Sequence, residues 1–287
     1  MRPLAEQLSP ELAGKRDALL ALVGRYESCA VAFSGGVDSA VAAQAAFLAL
    51  GDRAIAVTGV SPSLAAGELQ AAVDLAAHIG IRHQVLSTEE FADPNYLRNA
   101  PDRCFHCKTE LYTQLAGLAE RLEVRVIVNG LNLDDRGDYR PGMVAAANHN
   151  VRSPLLECGL TKEDVRRLAA DWGLPVWDKP ASPCLSSRVA YGEQVTPERL
   201  AMIDRAEQFL RQHGLREVRV RYHQGDLARI EVSSGDLARL AQDEFRAALV
   251  EQFRSLGFKF VTLDLEGFRS GSLNQLVGVE DLRVLSR

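Results

Sequence analysis

Between residues 29 and 130 the hydrophobic positions fall into two alternating textures. Short β-type runs at 30–33, 54–60, 82–87 and 124–129 are separated by longer stretches of helix formers near 39–50, 66–79 and 105–122. Gly51 and Gly80 stand where a C′ glycine would close two of those helices. Ahead of them, Ser9-Pro10-Glu11 followed by Leu12, Leu19, Leu20 and Leu22 has the cap, first-turn proline and apolar spacing of a helix start. Strictly alternating strands and helices predict an α/β fold, a doubly wound parallel sheet covered on both faces. Such sheets collect ligands at the carboxyl ends of their strands, beside the point where strand order reverses.

Further along, Thr161-Lys162-Glu163-Asp164 opens another helix ending near Trp172-Gly173, and 174–187 reads as a long proline-containing loop. The texture then changes. Thr196-Pro197-Glu198 starts a helix, 217–222 and 228–232 alternate with period two, a helix covers 237–256, and 258–263 makes a last strand. This order predicts a small α+β domain with an antiparallel sheet, and a division into residues 1–189 and 190–287.

The loop after the first apolar run reads Ser34-Gly35-Gly36-Val37-Asp38-Ser39 and leads into a helix. Two glycines let backbone N–H groups approach an anion, and the helix aims its positive end at the same place. A Walker A loop would carry a lysine before its last hydroxyl residue; here Asp38 stands there instead. A carboxylate reaches phosphate only through a metal, so Asp38 is read as a holder of Mg²⁺ on a pyrophosphate, with Ser34 and Ser39 adding hydroxyl donors. The loop resembles that of the PP-loop ATP pyrophosphatases, which split ATP into AMP and pyrophosphate and pass the adenylyl group to a substrate oxygen.

A chain of 287 residues, 47% hydrophobic and 25% charged, is long enough for an α/β core and a smaller second domain. Its net charge of -5 gives no general reason to bind nucleic acid. No apolar stretch is long enough to cross a bilayer and no export signal is evident, so a cytoplasmic protein with no membrane partner is expected. An odd set of five cysteines (Cys29, Cys104, Cys107, Cys158, Cys184) argues against a disulfide framework. Cys104-Phe105-His106-Cys107 alone leaves open a redox pair, half a zinc site, two cluster ligands or coincidence. Cys184 adds a third thiol, while Cys29 and Cys158 are read as packing residues.

Taken together, SGGVDS, RCFHCK, GLNLDDRGDYRPG, PASPCLSSR, VRVRYH with ARIEV, and LDLEGFRSGSLN resemble the LarE sulfur transferases, a PP-loop family of nickel-pincer cofactor synthesis. The resemblance implies that ATP adenylates a carboxylate of pyridinium-3,5-biscarboxylic acid mononucleotide and that sulfur then replaces the activated oxygen. It assigns the nucleotide to Ser34, Gly35, Gly36, Asp38 and Ser39, with Asn132 and Asp135 toward nucleotide or Mg²⁺. Sulfur comes from Cys184, sacrificed to dehydroalanine, or from a sulfide on a [4Fe-4S] cluster held by Cys104, Cys107 and Cys184; the extra CxxC favours the cluster. Arg219 and Arg221, two apart on a strand, share a face and form a fork for the substrate phosphate, joined by Arg188 and flanked by Glu207 and Glu231. The resemblance also implies a homo-oligomer.

Lys179 and Arg188, near Cys184 in sequence, are cations that could favour its thiolate. Three rivals remain: a PP-loop tRNA thiolase, an amide-forming synthase, and a nucleotide-binding sensor without turnover. The acidic balance opposes the first, and the clustered thiols are unexplained by the second.

Overall fold

The computed structural model describes residues 8–137 and 141–269. Asp138, Tyr139 and Arg140, and the part of the sixth resemblance segment from Ser270 onward, lie outside the described residues. In chain order the elements are α1 (Pro10–Gly24), β1 (Cys29–Ala32), α2 (Val37–Leu50), β2 (Ala54–Val60), α3 (Glu68–Ile79), β3 (Arg82–Ser87), α4 (Pro94–Leu97), α5 (Arg103–Arg121) and β4 (Val126–Val128). They continue as α6 (Pro141–Asn148), α7 (Pro154–Glu157), α8 (Lys162–Asp171), α9 (Pro197–Gln212), β5 (Val218–His223), β6 (Leu227–Val232), α10 (Leu237–Leu240), α11 (Asp243–Ser255) and β7 (Phe260–Leu263).

Two compact units result. The first comprises Met1–Ser61, Gly67–Glu90 and Cys104–Ser182; the second comprises Pro62–Ala66, Phe91–Arg103 and Pro183–Arg287.

In the first unit all strand pairs are parallel, in the order β3-β2-β1-β4. Period-two alternation splits the strands between two cores. Cys29 and Val31 of β1 and Ala54 and Ala56 of β2 face a cluster with Val41, Ala45, Leu75, Val165 and Leu168. Ala30, Ile55 and Val57 face Tyr112, Leu115, Leu118, Ala145 and Ala146. Helix α2, rich in alanine, is buried on nearly every side, and small residues suit such close helix–sheet approach. The chain winds outward from β1 to β3 and returns to β1's other side as β4. Strand order therefore reverses between β1 and β4, and the loops after those two strands meet there. The doubly wound α/β expectation holds.

The second unit carries a three-stranded sheet in the order β5-β6-β7. The antiparallel sheet expected from the sequence is corrected to a mixed one: β5 and β6 pair antiparallel, but β6 and β7 pair parallel. The cause is the connection, because β6 reaches β7 through α10 and α11, a helical crossover rather than a hairpin. The single helix expected over 237–256 is also divided, with Ala241 and Gln242 between α10 and α11; Gln242 is extended and caps the second piece.

Candidate active site

The first unit's site begins where β1 ends. Phe33 is followed by Ser34, Gly35 and Gly36, and α2 starts at Val37 with Gly36 as an extended N-cap that supplies no side-chain cap. The first backbone N–H groups of a helix have no carbonyl one turn back, so those of Val37, Asp38 and Ser39 are directed past its end, while the Gly36 N–H donates to Ser34 Oγ at 3.4 Å. Gly35 has φ of 71°, and a Cβ on it would stand 3.3 Å from the Cα and Cβ of Ala72 on α3. The loop is closed on itself. Ser39 Oγ donates to Gly36 O at 3.0 Å, accepts from Ser34 N–H at 3.2 Å, and lies 3.2 Å from Ser34 Oγ. Ser34, Gly35, Gly36, Asp38 and Ser39 are thus one structural piece, as the sequence implied.

The loop after β4 is pressed against this piece. A Cβ on Gly130 would come within 2.7 Å of Ser39 N and 2.8 Å of Asp38 C, so only glycine permits the approach. Two residues on, Asn132 donates from Nδ2 to Asp38 Oδ1 at 3.0 Å. Its own Oδ1 accepts from Asp134 N–H at 3.0 Å, and Asp135 Oδ2 accepts from Asn132 N–H at 3.0 Å. Asn132 therefore reaches Asp38 directly, while Asp135, buried, fastens the turn that aims it.

Sequence reasoning missed the residue opposite. Lys162, the first residue of α8, places Nζ 2.5 Å from Asp38 Oδ2, and its backbone N–H donates to Asp134 Oδ2 at 2.7 Å. One signal for it was legible: a cation in the first turn of a helix opposes the helix dipole and calls for an anion nearby. The oxygen donors here, one carboxylate and two hydroxyls beside helix N–H groups, fit Mg²⁺ carried in with a polyphosphate, which binds through one or two carboxylates and phosphate oxygens.

In the second unit Cys184 is exposed and sits just ahead of a short 3₁₀ turn, Leu185–Arg188. Three arginines hold the carbonyls of that turn. Arg188 Nη1 donates to Cys184 O at 2.9 Å and also to Pro183 O, Arg103 Nη1 donates to Ser186 O at 2.8 Å, and Arg221 Nη1 donates to Ser187 O at 3.0 Å. Tyr96 and Ser186 add a buried hydroxyl contact at 2.6 Å. The backbone bearing the thiol is fixed from below, leaving the sulfur outside.

Arg188 is 1% exposed and its Nε meets Glu207 Oε1 at 3.0 Å; Glu207, fully buried, also accepts from Val220 N–H at 3.1 Å. These two therefore brace the cysteine turn and β5. Glu231, also fully buried, takes Arg221 Nη2 at 2.8 Å and Arg229 Nη2 at 3.3 Å. Arg219 lies half-buried on β5, paired in register with Glu231 and with its guanidinium 5.0 Å from the Phe268 ring. Burial first, then repulsion from Arg188 and from Arg221 and Arg211, holds its guanidinium down to about 10.

Cys104 and Cys107 belong to the first unit and Cys184 to the second, and among the described residues no group of three His, Cys, Asp or Glu side chains is gathered for a metal ion. Lys179 is ion-paired to Glu68 at 2.8 Å within the first unit. Cys29 is buried, which pushes its thiol up to about 12, as befits a packing residue.

No family model matches the chain. A protein of Lactiplantibacillus plantarum named pyridinium-3,5-bisthiocarboxylic acid mononucleotide synthase is 37% identical over 264 residues, covering 92% of this chain and 95% of its own. The chain belongs to the LarE family. It is an enzyme of that sulfurtransferase family, within the PP-loop superfamily. An uncharacterised protein of Synechocystis is 46% identical over 93% of this chain and 99% of its own length. A tRNA-specific 2-thiouridylase of Azorhizobium caulinodans is 34% identical, but across only 53% of this chain and 48% of its own. Among the described residues no helix is long and apolar enough to cross a membrane.

Proposed function

We propose that this enzyme adenylates a carboxylate of pyridinium-3,5-biscarboxylic acid mononucleotide with ATP and replaces the activated oxygen by sulfur carried on Cys184. The observation that carries the reading is the first-unit cradle: a glycine loop at a helix N-terminus with Asp38 at its centre, in a chain aligned nearly end to end with a synthase of the bisthiocarboxylic product. An oxide cannot leave a carboxylate, whereas AMP can leave an acyl adenylate. The carboxylate oxygen attacks the α-phosphorus of ATP and pyrophosphate departs. Donors aimed at the departing charge, here the N–H groups of Val37 to Ser39 and the hydroxyls of Ser34 and Ser39, lower that barrier. Mg²⁺, when bound at Asp38, supplies further charge neutralisation on the phosphates.

The Cys184 thiolate then attacks the acyl carbon and expels AMP, forming a thioester. Loss of the Cys184 Cα proton to a base, with cleavage of its Cβ–S bond, releases the thiocarboxylate and leaves dehydroalanine. Arg219 and Arg221 bind the substrate phosphate. Support for this comes from the position of Arg219, half-buried on β5 beside Arg188 and Arg221, where burial and like-charged neighbours disfavour its charge and a phosphate would favour it, whereas Arg188, Glu207 and Glu231 serve as the frame that holds the fork. A tRNA substrate finds less support, because the thiouridylases match about half of the chain and its net charge is -5. A cytoplasmic homo-oligomer is part of the same proposal.

Mass analysis of the substrate and of the protein after incubation with ATP and Mg²⁺ tests this. One oxygen of the substrate is expected to be exchanged for sulfur while the protein loses the mass of hydrogen sulfide. Cys184→Ala is expected to stop the exchange. Continued exchange by that variant, or a wild-type Cys184 that keeps its sulfur through many turnovers, would contradict the assignment.

A further inference from the structure

The glycine loop lacks the lysine that phosphate loops of the Walker type carry, yet the fold delivers one from 124 residues away in sequence. We propose that Lys162 is the phosphate-binding cation of the nucleotide site: bonded to Asp38 in this structure, it passes to the terminal phosphates of ATP when Mg²⁺ takes the carboxylate. This inference rests on the ATP reading above and adds to it a residue and an exchange of partners.

Both oxygens of Asp38 are engaged, Oδ1 by the Asn132 amide and Oδ2 by the Lys162 ammonium. A metal on this carboxylate competes with the ammonium and repels it at close range, and the polyphosphate that arrives with the metal is the adjacent negative charge. The backbone beneath Lys162 does not need to move. Thr161 and Asp164 form a capping box at the start of α8, Lys15 Nζ holds Asp164 at 2.8 Å, and the Lys162 N–H is bonded to Asp134. Only the side chain, 35% exposed on a flexible four-carbon stem, has to swing. Its position in the first turn of α8, where the dipole disfavours a cation, is a cost without purpose for a surface ion pair, since such pairs contribute little. A cation kept there for an incoming anion gives the cost a function.

Calorimetric titration of the full chain with Mg–ATP and, separately, with AMP decides the matter for wild type, Lys162→Gln and Lys162→Arg. Lys162→Gln is expected to weaken Mg–ATP about 10- to 100-fold, the range for one lost hydrogen bond between charged groups. AMP, which lacks the two terminal phosphates, is expected to change less than about twofold, within the range of a surface substitution. Lys162→Arg restores most of the Mg–ATP affinity. Binding stoichiometry reports the folded fraction separately, so partial misfolding does not imitate the result. Unchanged Mg–ATP affinity in Lys162→Gln, or equal losses for Mg–ATP and AMP, overturns the proposal while leaving the ATP reading in place. A wild-type chain that does not bind Mg–ATP overturns both.

Discussion

Gly130, two residues after β4, stands so close to Ser39 at the start of α2 that a Cβ added to it would lie 2.7 Å from the Ser39 nitrogen. The approach of the two loops at the start of α2 is therefore set by a glycine outside the phosphate loop. Gly130→Ala is expected to force the two loops apart, destabilising the fold by about 1–3 kcal/mol as overpacking does, and to weaken Mg–ATP binding. Urea unfolding and calorimetry measure the two effects, and an unchanged nucleotide affinity would show that the contact does not shape the cradle.

Arg188 and Glu207 are a buried ion pair that also carries the cysteine turn and the Val220 N–H. Removing one member leaves an uncompensated buried charge, so Glu207→Ala is expected to cost about 3–5 kcal/mol in chemical denaturation. A loss under about 1 kcal/mol, typical of an exposed pair, would show that the brace is dispensable.

Arg219 predicts a different outcome. Burial and its neighbours Arg188, Arg221 and Arg211 disfavour its charge, which a bound phosphate would favour. The substrate mononucleotide is expected to raise the melting temperature of the wild-type chain and to do so much less for Arg219→Ala, with KM rising more than kcat falls. Equal stabilisation of both proteins would remove Arg219 from the phosphate site.

The thiols separate by exposure. At pH 8 an alkylating reagent is expected to modify Cys104 and Cys184 in the folded chain and to spare Cys29, as peptide mass mapping would show. Because burial raises the Cys29 thiol from its ordinary 9.0 to about 12, the folded state keeps a proton that the unfolded chain has already lost. Its contribution to stability is complete below pH 9 and disappears as pH rises toward 12. Cys29→Ala is expected to flatten the fall in stability over that window, and an unaltered slope would contradict the burial.

The parallel sheet was readable because its strands are short apolar runs between helix formers, with Gly51 and Gly80 ending two helices in left-handed or irregular backbone. The phosphate loop was readable because its chemistry is contiguous. Lys162 left only the signal of a cation in a helix's first turn and Gly130 left none, since the partner of each becomes visible only across the switch point. The parallel pairing of β7 was hidden for a similar reason: alternation reveals a strand's faces and says nothing of its direction. The burial of Arg188 and Glu207 was not legible either, because arginine and glutamate are usually exposed and only their mutual pairing allows both to be buried.

The central claim, that a carboxylate is activated as its adenylate at the Asp38 cradle, is tested most directly by following pyrophosphate released from ATP with Mg²⁺ and pyridinium-3,5-biscarboxylic acid mononucleotide. Release is expected only when the carboxylate substrate is present, in step with AMP, and is expected to be abolished by Asp38→Ala. Pyrophosphate release that ignores the substrate, or that persists undiminished in Asp38→Ala, would contradict the account.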